Sequence, residues 1–268
     1  MRKLQTLIVA GLAAIVFTGC ASTGKVTKIK ETEEKVIDVM LTKPSFHTRK
    51  RLTYLIAWNR IPVGKITAES GDIINYKGRD VYTLKVVTES NKFLSKIYRV
   101  EDTYTSYVDT QTISSRRYEA NRKEGRYDKH VIVEYDFDNM EAIYYSILDG
   151  SIKRCSIEEN VQDPVSAMCY FMTTPVKLGD ELKLTINLNE KNYKMFGKIE
   201  SVDVVKLRKL GSFPAFKLRP YAELKGERVK KGRAWGYFSA DKNRYPIYGV
   251  VLIPFGRVTA TLVSVEDF

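Results

Sequence analysis

The chain has 268 residues, a formal net charge of +12, 44% hydrophobic and 11% aromatic residues, and only three cysteines and two histidines. That composition excludes a disordered chain and a disulfide-dense miniprotein. Its one long apolar run lies at the N-terminus, which excludes a polytopic helical membrane protein.

Residues 1–19 read as an export signal. Arg2 and Lys3 supply the positive start, and Leu4 to Phe17 is apolar except for Gln5, Thr6 and Gly11. The run is shorter than the roughly 20 residues a membrane span needs. It ends in Phe17-Thr18-Gly19-Cys20, small residues before a cysteine, which resembles a bacterial lipobox. That resemblance implies that Cys20 becomes the acylated first residue of an exported lipoprotein. With Ala21 and Ser22 following, and no Asp there, the expected location is the outer membrane, facing the periplasm, where the cell has one. Removing residues 1–19 leaves a net charge of +10. Export argues against nucleic acid as the partner. The basic stretches, such as Arg49-Lys50-Arg51, then read as a solvated surface or as contacts for anionic envelope components.

Residues 20–45 read as the lipidated cysteine and a polar tether, about 16 residues of which would span about 20–25 Å. Val36 to Leu41 is either a short first strand or part of the tether. Residues 46–268 then read as a single β-rich domain. Leu52, Tyr54, Ile56 and Trp58 alternate with their neighbours, as do Val131, Val133, Tyr135 and Phe137, and Leu182, Leu184, Ile186 and Leu188. Further strands are expected around Trp235 and Tyr237 and around Val258 to Leu262. Turn signals stand at Glu69-Ser70-Gly71-Asp72, Lys77-Gly78, Glu124-Gly125, Asp149-Gly150, Gly179-Asp180, Asp241-Lys242-Asn243 and Pro254-Phe255-Gly256. One helix is expected at about 163–172: Asp163 caps it, Pro164 opens it, Pro175 forbids its continuation, and Val165, Met168, Cys169 and Met172 share a face. The fold class is therefore mainly β, a large antiparallel sheet that must curl, with one short helix over one opening or face. A half-barrel, a barrel and two packed sheets all remain open.

Taken in order, Leu52 to Gly64, Tyr98 to Asp102, Asp163 to Phe171 with Pro175 and Gly179-Asp180, and Asp241 to Pro246 with Gly256-Arg257-Val258 resemble domain-of-unknown-function family 3108, exported bacterial β-rich proteins. The likeness spans about residues 46–263. The chain departs from that pattern at Lys50-Arg51, where Gly-Glu is frequent, and at Met172, where Arg is frequent. The resemblance implies a fold and export; it implies no reaction.

The residues present point away from catalysis. Only His47 and His130 exist, without metal-ligand spacing, and no phosphate-cradling loop or nucleophile elbow occurs. No metal and no cofactor are expected. Cys155 and Cys169 could close a disulfide or stay separate thiols. Asp241 and Arg244 flank a turn, where Arg244 either makes a surface ion pair or binds an anion at a cavity rim. Tyr54, Trp58, Trp235 and Tyr237, with Arg244, are the candidate cavity or rim residues. The leading expectation is a non-enzymatic, membrane-anchored envelope lipoprotein that binds an apolar or amphiphilic component or a partner protein. The alternatives are a scaffold lipoprotein without a small ligand, and an envelope hydrolase using Asp102, Asp109 or Asp241.

Overall fold

The computed structural model describes residues 25–28, 45–229 and 233–268. The export signal, Cys20 and the strand expected at Val36 to Leu41 lie outside the described residues.

Among the described residues sixteen strands follow one another: β1 (Lys25–Lys28), β2 (Lys50–Trp58), β3 (Ile61–Tyr76), β4 (Arg79–Ser90), β5 (Val100–Asp109), β6 (Ser115–Glu124), β7 (Tyr127–Asp136), β8 (Glu141–Ser146), β9 (Ile152–Ser156), β10 (Glu181–Leu188), β11 (Lys191–Leu207), β12 (Gly211–Leu224), β13 (Glu227–Arg228), β14 (Arg233–Ser239), β15 (Pro246–Ile253) and β16 (Gly256–Asp267). A helix, α1 (Ser166–Thr173), lies between β9 and β10. All strands belong to one antiparallel sheet, ordered β1-β11-β12-β14-β15-β16-β2-β3-β4-β5-β6-β7-β8-β9, with β10 also on β11 and β13 on β12. The mainly β class is thus established, with a single α-helix among the described residues. Among the described residues the terminal strands β1 and β9 do not pair, so the curled sheet is not closed into a barrel.

Residues 157–163 partly span the opening. Ser115 N donates to the Val161 carbonyl, and Gln162 joins β10 through Gln162 N to the Thr185 carbonyl and Asn187 N to the Gln162 carbonyl. β1 falls in the segment expected to be tether. Its Val26 is half-buried against the core, which draws four residues into pairing with Asp203 to Lys206 of β11.

The expected turn at Glu69 to Asp72 is instead a bulge inside the long strand β3, where the register against β4 shifts between Ser70 and Ile73. Gly71 suits the bulge: a Cβ there would stand 2.4 Å from the Thr83 hydroxyl, which would have to turn away from the Asp72 carbonyl it donates to.

The curl gives the molecule two rims. Call near the rim where the chain enters β2, with the β11/β12 and β14/β15 connections; the far rim carries the β2/β3, β4/β5 and β15/β16 connections. At the far rim Asn59 and Arg60 form a two-residue turn with φ of 48° and 74°, the conformation in which glycine is least strained. Arg60→Gly is therefore expected to raise Tm by about 1–3 °C in a thermal scan, since relieving such strain gives on the order of 0.5–1 kcal/mol.

The core has three parts, and α1 contributes to two of them. Val165 and Cys169 pack with Tyr104, Tyr118, Val133 and Tyr144 of the β4–β8 part of the sheet. Phe171 packs with Phe216 and Phe238, its ring centroid 4.0 Å from that of Phe238. The third part, with Leu52, Tyr54, Ile66, Tyr248 and Leu262, lines β2, β3, β15 and β16. The helix thus plugs the interior of the curled sheet instead of riding on its surface.

Candidate functional site

The helix begins as its sequence dictates. The Asp163 carbonyl accepts from Ala167 N at 3.0 Å. Its Oδ1 accepts from Val165 N at 2.6 Å and from Ser166 N at 2.9 Å, while Asp163 N donates to the Ser166 hydroxyl at 2.8 Å. This is a reciprocal cap. The other carboxylate oxygen accepts from Ser106 and Ser115 hydroxyls, at 2.5 and 2.6 Å, which ties the helix to β5 and β6. Complete burial raises the Asp163 pKa against these bonds.

The opposite end is held by Arg244. Its guanidinium is fully buried, donates through Nη1 to the Thr174 carbonyl at 2.8 Å, and lies 5.2 Å from the Phe216 ring centroid. A cation there suits the negative end of a helix. Burial lowers its pKa. Arg244 therefore turns inward as a helix cap and reaches neither a surface partner nor a rim. Asp241 instead receives Asn243 N and Arg244 N, both at 3.0 Å, and closes its own turn.

Fixed at both ends, α1 stands off the sheet and leaves an apolar cavity of about 100 Å³. The helix face that lines it is the one expected from spacing, Val165, Met168, Cys169 and Met172, joined by Pro164. The facing wall is Leu52 and Tyr54 of β2, Ile66 and Ala68 of β3, Leu84 and Val86 of β4, and Ala260 of β16. Partly exposed Phe46, His47, Lys50, Glu69 and Tyr245 mark its mouth on the near rim. Phe46 lies against Tyr82, ring centroids 4.7 Å apart, and Ser70 donates to the His47 carbonyl at 2.7 Å, so the segment before β2 borders the opening. At that mouth Lys50 pairs with Asp267 and Arg51 with Glu69. One polar atom in the wall is orphaned: the buried Tyr54 hydroxyl has no hydrogen-bond partner, and burial pushes its pKa up.

A second apolar cavity of about 60 Å³ lies beyond the helix, between Ala167, Met168 and Phe171 and the β10–β12 residues Leu182, Leu184, Ile186, Met195 and Leu218. Met168 lines both cavities. A methionine has the rotamer freedom to act as a movable partition.

Of the residues expected at a cavity or its rim, Tyr54 lines the larger cavity. Trp235 of β14 is half-buried against the third core part, and Tyr237 is buried beside Tyr248, its pKa pushed up to about 12 by burial and by Asp203. Trp58 stands exposed on the far rim, its indole N–H donating to the Phe255 carbonyl at 3.1 Å. None of these three borders the cavity. Cys155 and Cys169 are free thiols, which corrects the bonded alternative. Cys155, on β9, accepts from Asn187 Nδ2 at 3.4 Å, while Cys169 is buried within the helix's packed face, and burial raises both thiols.

The carboxylates considered for hydrolysis are engaged separately. Asp109 accepts from Gln111 N and Thr112 N and from the Arg116 guanidinium, and it lies below its ordinary pKa, these bonds outweighing burial. Asp102 accepts from the Tyr104 hydroxyl at 2.9 Å and from Lys123 N at 2.9 Å. Beside it lies a buried pair that the sequence reading missed, Arg122 and Glu124 on β6. Arg122 also lines a chamber of about 20 Å³ with Tyr104, Lys129 and Asn187, room for about one water.

Comparison with known proteins fits this architecture. The profile of the family described as "Protein of unknown function (DUF3108)" matches residues 53–263. The chain belongs to that family. The resemblance read from the order of its motifs is borne out. No curated protein matches the sequence. Among solved structures, the chain is similar to a beta-barrel-like protein of domain of unknown function DUF1849 from Brucella abortus, with a TM-score of 0.55 and 9% identity over 84% of this chain and 99% of that one. At that identity the likeness concerns the fold alone. A putative exported protein with a YmcC-like fold from Bacteroides fragilis aligns over 84% of this chain and 98% of its own, at 9% identity and a TM-score of 0.31.

Proposed function

We propose that this DUF3108 chain is a membrane-anchored envelope lipoprotein that holds an apolar or amphiphilic envelope component between α1 and the inner face of its sheet, without catalysing a reaction on it. The observation that supports this reading is the apolar cavity beneath the helix, with an unpartnered Tyr54 hydroxyl in its wall and charged groups confined to its mouth. Such a site suits a molecule with a hydrocarbon part and a polar end. Apolar cavities of comparable size, ~150 Å³, stay dry and accept small apolar ligands. Rotation of Met168 would join the two cavities and lengthen the site for an acyl chain.

Direction supports the same reading. β1 pairs with the end of β11 nearest the cavity mouth, at Asp203 to Lys206. A lipidated Cys20, five residues before Lys25, would hold that rim toward the bilayer, so an amphiphile could pass between membrane and cavity without crossing water.

The test is filling the cavity. In Ala260→Phe, binding of a fluorescent fatty-acid probe is expected to fall at least tenfold (about 1.4 kcal/mol) with the fold retained by circular dichroism. Met168→Ala is expected to bind the probe at least as well while losing about 2–4 kcal/mol of stability. Native mass spectrometry of protein extracted from membranes should show a co-purified amphiphile. Equal probe binding by wild type and Ala260→Phe, with no co-purified molecule, would overturn the reading.

A further inference from the structure

Among the described residues, eight of the thirteen exposed large hydrophobic side chains lie along the far rim, away from the cavity mouth and from β1. Five of them sit on three neighbouring loops: Trp58 and Ile61 on the β2/β3 turn, Phe93 and Ile97 on the β4/β5 connection, and Phe255 on the β15/β16 turn. These loops are fastened to one another. Trp58 Nε1 donates to the Phe255 carbonyl at 3.1 Å, Arg257 N donates to Asn59 Oδ1 at 2.8 Å, and Asn91 Nδ2 donates to the Pro62 carbonyl at 2.7 Å. The apolar tips therefore form a fixed row.

The same loops carry Arg60, Lys92, Lys96 and Arg257, all exposed, and no Asp or Glu occurs in 58–61, 91–99 or 254–257. Single apolar side chains projecting from separate turns, with cations between them, do not make the continuous packed face of a protein interface. They match a surface that yields around each tip and carries negative charge: apolar groups enter the headgroup boundary and the cations meet the headgroups. Arg60 keeps its place at a φ of 74°, where glycine would be less strained.

We infer that the far rim docks onto an anionic lipid surface, with Trp58, Phe93 and Phe255 inserted among the headgroups. This contact stands apart from the cavity and from Cys20: it uses the opposite end of the molecule, so the lipid surface it meets is a different one from the bilayer that Cys20 would enter.

The chain has two tryptophans, Trp58 and Trp235, so the rim carries its own reporter. Full-length protein is mixed with phosphatidylglycerol vesicles containing bromine-labelled acyl chains, and with phosphatidylcholine vesicles as the neutral comparison. With phosphatidylglycerol, tryptophan emission should shift to the blue and be quenched. That response should persist in Trp235→Phe and vanish in Trp58→Phe, so either variant alone decides the matter. Arg60→Glu with Lys96→Glu should weaken the response about tenfold or more, since each basic residue near such a surface contributes about 1 kcal/mol. Phe93→Ser and Phe255→Ser, both at exposed sites, should weaken it with the circular dichroism unchanged. Protein that sediments with the vesicles while Trp58 stays unshifted and unquenched would overturn the inference, as would an equal response on both lipids. Protection of Trp58 by a protein partner, with no response to vesicles, would overturn it as well.

Discussion

Asp163→Ala is expected to lower the unfolding free energy by about 3–5 kcal/mol, the larger part from hydrogen bonds left unmade. Losing a helix cap costs about 1 kcal/mol. Each buried donor left without an acceptor adds on the order of 1–3 kcal/mol, and the variant would strand Val165 N, Ser166 N and the hydroxyls of Ser106 and Ser115. Asp163→Asn should stay within about 1 kcal/mol of wild type, because asparagine caps equally well and serine hydroxyls can turn to accept as well as donate. The two variants also separate charge from geometry. The Asp163 pKa is raised by burial, so the folded state holds its proton more tightly than the unfolded chain does. Its contribution to stability is complete below the ordinary carboxylate value and is lost as the pH rises through the raised one. In Asp163→Asn that part of the pH slope should disappear. Urea unfolding at pH 5 and pH 8 checks both points. An alanine variant as stable as wild type, or an asparagine variant as damaged as alanine, would show that the bonds around Asp163 do not hold the helix. The alanine variant should also bind the fatty-acid probe poorly, because α1 is one wall of the cavity.

The helix was legible in the sequence because its signals are local: Asp163, Pro164 and the spacing of Val165, Met168, Cys169 and Met172 need no knowledge of the sheet. Strands with one apolar face, such as β2 and β10, were legible for the same reason. The bulge in β3 was not, since Glu69-Ser70-Gly71-Asp72 has the composition of a turn and only the close approach of Thr83 shows that Gly71 serves a strand. Arg244 misled in a similar way. It follows Asp241-Lys242-Asn243, a surface turn by composition, yet its left-handed φ of 49° accompanies a side chain that runs inward to α1. The cavity depends on how far a capped helix stands from a curled sheet, a distance that no periodicity encodes. Tyr54 was reachable as an inward residue of β2, but Phe46 and Ala260 acquire their role only from the three-dimensional arrangement. For Arg122 and Glu124 the sequence does carry a signal. They continue the inward row Tyr118, Ala120 of β6, so a period of two places both charges inside.

That inward row leads to the other large effect, Arg122→Ala. Arg122 donates through Nε to Glu124 Oε1 at 3.0 Å and through Nη2 to the same oxygen, and it lies 3.9 Å from Asp102 Oδ2. All three side chains are almost wholly buried, so the guanidinium is the cation between two carboxylates. Removing one partner from such a group typically costs 3–5 kcal/mol, because the remaining charge is left uncompensated in a poorly solvated place. Here the loss should depend on pH. Burial already raises the Glu124 pKa while Arg122 opposes that shift, so without Arg122 the carboxyl is raised further. A raised carboxyl keeps its stability at acid pH and loses it as pH rises through the folded value. The difference between wild type and Arg122→Ala should therefore be smaller at pH 4.5 than at pH 8. Comparing the two proteins at each pH cancels the acid sensitivity of Asp109, Glu119 and Glu134, whose lowered pKa values act with the opposite sign in both. Adding Glu124→Gln to Arg122→Ala should recover part of the loss at pH 8 and little at pH 4.5. A loss that is the same at both pH values, or a double variant no better than the single one, would place the damage in packing, including the contact of Arg122 with the Tyr127 ring, and not in the stranded charge.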